Sequence, residues 1–255
     1  KKVYKATDKT GQIVALKAGR YRSPKQLERL QREVDFLAAA NLDHFPKHKL
    51  FSYDVGNREF LIVEEYIIGK RLSECNLLFK TSEEILKLLY DCCVALSPIW
   101  EKRVVHRDLK PDNIMIKESC HSPVIIDLGI ARFLDHSSLT DSHALQGPCT
   151  PLYAAREQLT NRKVSIDQRT DFFALGVIAA ELSYGNHPFS PDVVKSNNDI
   201  LENIVEGNFF LPDISGKTDT SLRDLISSLI DKEPFRRPRS SDAILKIISN
   251  ILANQ

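Results

Sequence analysis

The feature that most constrains this chain is a change of hydrophobic rhythm near residues 64–69. Up to Val63 the apolar residues come in short runs separated by turn formers. Lys2–Ala6 and Gln12–Lys17 flank Thr7-Asp8-Lys9-Thr10-Gly11. Leu50–Tyr53 and Phe60–Val63 flank Asp54-Val55-Gly56-Asn57-Arg58, so two β-hairpins are predicted. Between them Ser23-Pro24-Lys25-Gln26 carries a helix start: a capping hydroxyl, a first-turn proline and a glutamine able to reach back. Leu27, Leu30, Val34 and Leu37 then recur at helical spacing. After Gly69 the texture turns helical. Thr81-Ser82-Glu83-Glu84 is a capping box, and Ile85, Leu88, Leu89, Cys92, Cys93 and Leu96 follow on one face. Ser221–Ile230 and Ser241–Ala253 also read as helices. The pattern implies a small β-rich half with one helix, joined to a larger α-rich half. Clefts between such halves are common ligand sites.

Composition narrows the function classes. Lys and Arg number 35 and Asp and Glu 34, a net charge of +1 over 255 residues. That balance argues against a partner held by bulk charge, whether nucleic acid or an acidic membrane. No apolar run approaches the ~20 residues of a membrane helix. The five cysteines are odd in number and form no C-x-x-C pair, which argues against a disulfide framework or thiolate zinc and for free thiols in a reducing compartment. The chain opens on Lys1 without an apolar leader, so a fragment or processed chain is expected. A cytoplasmic setting is expected, with a flanking membrane anchor left open.

The densest chemistry lies in Val105-His106-Arg107-Asp108-Leu109-Lys110-Pro111-Asp112-Asn113. This run resembles the catalytic loop H-R-D-x-x-x-x-N of the eukaryotic-like protein kinases. Ile114–Ile116 and Val124–Ile126 read as a β-pair that ends on Asp127-Leu128-Gly129, similar to the family's D-F-G with Leu128 for Phe. Val14-Ala15-Leu16-Lys17 resembles its V-A-I-K strand, and Gly147-Pro148-Cys149-Thr150-Pro151-Leu152-Tyr153-Ala154-Ala155-Arg156-Glu157 its G-T-P-x-Y-x-A-P-E segment, with Arg156 where Pro is usual. Six ordered motifs span Lys2 to about Ala253, and Lys110 matches the Ser/Thr branch.

The resemblance implies an α+β, bilobal protein-kinase-like fold: a β-rich N-lobe with one helix over 1–63, a hinge at 64–69 and an α-helical C-lobe over 70–255. It implies transfer of the γ-phosphoryl group of ATP, with Mg²⁺ or Mn²⁺, to protein Ser/Thr hydroxyls. Asp108 would orient the acceptor hydroxyl and take its proton, and Lys110 would neutralise the transferred group. Asn113 and Asp127 would hold the metal through hard oxygen atoms. Lys17 would bind the α/β-phosphates. Glu33, on the helix face of Leu30 and Leu37, is expected to form an ion pair with Lys17.

Val3, Ala15 and Met115 would sandwich adenine, and the backbones of Glu65 and Ile67 would bind its edge. Glu64 falls at the gatekeeper position, where a carboxylate would make the rear pocket polar. Thr150 would contact the Asp108–Lys110 region, Glu157 would pair with Arg237, and Asp171 would brace the catalytic loop. Arg107 would bind a phosphate on one of Ser137, Ser138, Thr140 or Ser142 in the activation segment.

The implied partners are a protein substrate and ATP, with a homodimer for trans-autophosphorylation, no nucleic acid and no membrane segment. The family's Gly-rich phosphate loop is missing from this sequence: no glycine precedes Gly11, and Lys1 stands where its last glycine would be, so either the chain is truncated inside the motif or the loop is absent in nature. A pseudokinase that holds nucleotide as a scaffold and a small-molecule kinase of related fold are the alternatives.

Overall fold

The computed structural model describes residues 1–40, 42–75, 78–128, 132–133, 150–213 and 216–254, with 132–133 described by backbone alone. β1 (Lys2–Thr7) and β2 (Ile13–Arg20) form the first hairpin. Its turn closes on Asp8, whose carboxylate accepts from the Thr10 and Gln12 amides at 2.9 and 3.0 Å. α1 (Pro24–Ala40) follows. Ser23 Oγ accepts from the Gln26 amide at 3.3 Å, but the Gln26 side chain passes Ser23 and accepts from the Arg22 amide at 2.7 Å. The expected capping box is thus shifted back by one residue.

β3 (His48–Asp54) and β4 (Glu59–Glu65) complete an antiparallel sheet of order β1-β2-β4-β3. α1 lies on it, and Leu30 and Val34 meet Phe60, Ile62 and Tyr21 in a small apolar cluster.

The helical texture expected after Gly69 begins later than the sequence suggests. β5 (Gly69–Arg71) comes first, then α2 (Ser82–Glu101). Thr81 and Glu84 make both bonds of the capping box, at 3.2 and 3.0 Å. β6 (Val104–Val105) leads into the His106–Asn113 loop, and β7 (Ile114–Lys117) leads out of it. β8 (Pro123–Ile125) pairs with β7, β5 pairs with β7 on its other side, and β9 (Arg132–Phe133) pairs with β6.

The remaining helices are α3 (Arg156–Leu159), α4 (Gln168–Tyr184), α5 (Pro191–Val194), α6 (Ile200–Glu206), α7 (Lys217–Leu229) and α8 (Ser241–Ala253). α4 is buried without interruption from Thr170 to Ala180, as a helix apolar on every side must be. α2 and α7 pack against it, and α8 packs on α2 and α7, all within the main core. Gly176 permits this closeness: a Cβ there would stand 2.7 Å from side-chain atoms of Leu229 and Ile230.

The two apolar clusters are separate, one under the N-terminal sheet and one among the helices, and the fold is bilobal α+β. Among the described residues Cys75, Cys92, Cys93 and Cys120 are free thiols. No helix among them is long and apolar enough to cross a membrane.

Candidate active site

A cleft of about 450 Å³ opens between the sheet and the helical half. Its walls include Val3, Ala15, Lys17, Glu64, Glu65, Ile67, Lys110, Asn113, Met115 and Asp127. A larger depression, about 670 Å³, lies on the sheet near Tyr4, Gly19, Tyr53 and Phe60, but no residue of the His106–Asn113 loop lines it.

The loop between β6 and β7 is held from below. Asp171, buried in the first turn of α4, accepts from the His106 and Arg107 amides at 2.9 Å each and from Trp100 Nε1 at 2.8 Å. Burial pushes the Asp171 carboxyl up, while His106 and these donors pull it back. Arg107 takes φ 70°, a conformation that costs a non-glycine residue energy and persists only when over-determined. Here Asp171 holds its amide, and Gln158 Nε2 donates to its carbonyl at 2.8 Å. The Asp108 amide donates to His106 Nδ1 at 3.3 Å.

Four polar side chains converge at the mouth of this loop. Asp108 Oδ1 accepts from the Thr150 amide at 2.9 Å and from its hydroxyl at 2.6 Å. Lys110 Nζ donates to Thr150 Oγ1 at 2.7 Å and stands 3.4 Å from Asp108 Oδ2. Asn113 Nδ2 donates to the Asp108 carbonyl at 2.8 Å and to Oδ2 at 3.1 Å, and among the described residues no donor to the Asn113 amide oxygen is seen.

Asp127 stands across the cleft at φ 68°, and Lys1 Nζ lies 2.6 Å from its Oδ1. The Asn113 oxygen and the Asp127 carboxylate are hard donors that suit Mg²⁺. Among the described residues no group of three or more His, Cys, Asp or Glu could hold a metal, so an ion here would need further oxygen ligands from a substrate or water.

The expected Lys17–Glu33 pair is not formed. Lys17 Nζ lies 2.5 Å from Glu64 Oε2, both side chains being buried. The register explains this. Lys17 faces Ile62 across the β2–β4 ladder, so Glu64, two residues along, is its diagonal neighbour on the same face. Burial works against the Lys17 ammonium, but the Glu64 and Asp127 carboxylates outweigh it and raise its pKa. Glu33 does point inward from α1, but burial, with the Asp127 charge added, pushes its carboxyl up to about 7. The Glu65 amide already donates to the Lys47 carbonyl at 2.8 Å, so its backbone has only its carbonyl for an adenine edge.

Thr150 and the residues after it are tied to the C-terminal motif. Arg237 donates to both Glu157 oxygens, at 2.7 and 3.1 Å, and Thr170 Oγ1 donates to Glu157 Oε1 at 2.9 Å. Arg156, in the place of the usual proline, pairs with Glu233. Gly129, Ser137, Ser138, Thr140, Ser142 and Gly147–Cys149 lie outside the described residues. Reading motifs missed Lys1 at Asp127, Glu64 at Lys17 and Gln158 at Arg107. Glu64 stood out as a carboxylate at an unusual position, but its partner depends on strand register.

The family model for the protein kinase domain matches residues 1–247. The chain belongs to the protein kinase family. It is similar to serine/threonine-protein kinase D of Synechocystis, 30% identical over 81% of this chain and 39% of that protein. It is also similar to mouse serine/threonine-protein kinase ULK3, 29% identical over 92% of this chain and 49% of that protein. Rat serine/threonine-protein kinase 16 is 28% identical over 89% of this chain and 78% of its own length. The chain thus spans less than half the length of the first two of these relatives.

Proposed function

We propose that this kinase domain transfers the γ-phosphoryl group of Mg-ATP to Ser or Thr hydroxyls of a protein substrate, in a cleft whose lobes join at 64–69. The observation that supports it is the convergence of Asp108, Lys110, Asn113 and Thr150 at the cleft that also holds Lys17 and Asp127. The Thr150 hydroxyl displays how an acceptor would be received. It donates its proton to Asp108 Oδ1 while its oxygen accepts from Lys110 Nζ. A substrate hydroxyl in the same posture has its attacking lone pair oriented and its proton directed at a carboxylate. Lys110 would offset charge on the transferred group, and Lys17 would bind the α/β-phosphates. Asn113 and Asp127 would hold Mg²⁺ or Mn²⁺, which supplies positive charge against the phosphate oxygens. Free thiols at Cys75, Cys92, Cys93 and Cys120 support a reducing, cytoplasmic setting.

The test is radiolabelled phosphate transfer to a generic basic protein by the natural chain and by Asp108→Asn. The Asn variant keeps the shape and loses the base, so transfer should drop about 10²–10⁴-fold, and a metal chelator should abolish it in the natural chain. Equal transfer by both proteins would sink the assignment and leave a nucleotide-binding scaffold.

A further inference from the structure

We propose that Glu64 on β4 is the residue that positions Lys17 for nucleotide, ahead of Glu33 on α1. The inference rests on the kinase reading above. Lys17 and Glu64 belong to adjacent strands of one sheet, with Ala15 opposite Glu64 and Lys17 opposite Ile62. On such a diagonal the two side chains meet without backbone adjustment. Both line the cleft, whereas Glu33 is not among its walls. The pair lies 2.5 Å apart with 8% and 5% of the side chains exposed, so water competes little for either charge.

The origin of the two carboxylates matters as much as the distance. Glu33 rides on α1, a separate element that meets the sheet through a small apolar cluster. Glu64 is tied to Lys17 more directly, because the ladder that carries Lys17 also carries Glu64. An anchor within the sheet therefore holds the ammonium through the ladder itself and not through the packing of a helix. An ammonium has three donors. One is committed to Glu64, which leaves two for a ligand in the cleft that Lys17 and Asp127 both line. Glu64 is thus a positioning residue that acts through Lys17.

The kinetic signature separates this from a structural role. Glu64→Gln keeps volume and removes charge. It should raise the KM for ATP about tenfold and leave kcat within about threefold, the scale of one charged hydrogen bond. Glu33→Gln should raise KM less. Glu64→Asp, which keeps the charge on a shorter stem, should recover most of the loss, and it carries the comparison if Glu64→Gln does not fold. A larger KM effect from Glu33→Gln than from Glu64→Gln would overturn the proposal, as would an unchanged KM in both Glu64 variants. Direct titration with a fluorescent ATP analogue runs alongside. If the natural chain shows no Asp108-dependent transfer, the kinase reading fails, and the same ranking of variants in nucleotide affinity still decides the role of Glu64.

Discussion

Glu33 is a buried acid whose carboxyl stands well above the ordinary glutamate range. It is buried on the inner face of α1, and burial is the first reason its carboxyl rises to about 7; the nearby Asp127 and Glu64 charges add to the rise, while Lys1 and Lys17 oppose it. In an unfolded chain a glutamate titrates near ~4.3. Between that value and about 7 the folded protein keeps a proton that the unfolded chain has released. Stability must therefore fall as pH rises through this window and level off above it. Glu33→Gln has no such proton. Relative to the Gln variant, the natural chain should lose up to about 3 kcal/mol of unfolding free energy between pH 4.5 and 7.5. Urea titrations at those two pH values check this, and parallel behaviour of the two proteins would contradict it. The inward direction of Glu33 was legible from its spacing to Leu30 and Leu37, whereas its partner was not, because only the β2–β4 register shows that Glu64 reaches Lys17 first.

Elements divide by how they announce themselves. α2 declares its start through Thr81 and Glu84 and its buried face through Ile85, Leu88, Leu89 and Leu96, all readable as sequence. β5 and β6 are three and two residues long, too short for any period, and exist as strands only because β7 and β9 pair with them. Gly69 is the point where this matters for function. It opens β5 opposite Lys117 and lines the cleft. A Cβ there would stand 2.1 Å from the Ile116 carbonyl oxygen and 2.9 Å from its carbon, and a backbone carbonyl in a ladder cannot swing away. Gly69→Ala should push β5 off β7, at about 1–3 kcal/mol as for other overpacked sites, and weaken nucleotide binding with it. Gly56→Ala is the control, since there a Cβ would meet only an Asp54 oxygen at 3.3 Å in an exposed turn. Denaturant unfolding and nucleotide titration of both variants test the pairing, and a Gly69→Ala protein that matches Gly56→Ala in both would refute it.

At the scale of the whole molecule, the segment after Thr150 is fastened to the C-terminal motif by two ion pairs of opposite polarity. Glu157 meets Arg237, and one residue earlier Arg156 meets Glu233. Glu157 and Arg237 are 80 residues apart, so motif order suggested the pair, but nothing local could show its depth. Arg237 is fully enclosed. It also donates to the Arg169 and Asp231 carbonyls at 2.9 and 2.8 Å and lies 5.0 Å from the Phe173 ring, joining α3, α4 and the loop before α8. Arg156 departs from the expected proline, yet its side chain finds a carboxylate in the same motif with 21% and 27% of the two side chains exposed. The two pairs should therefore differ in energy and in salt response. Arg237→Ala leaves Glu157 charged and buried, which should cost about 3–5 kcal/mol. Arg156→Ala removes a pair that water already reaches, which should cost about 1 kcal/mol or less. Salt at ~1 M shortens the screening length to about 3 Å, so it should erase the Arg156 effect and leave the Arg237 effect nearly whole. Urea unfolding at low and high salt measures both, and equal losses for the two variants would show that burial does not set the strength of this fastening.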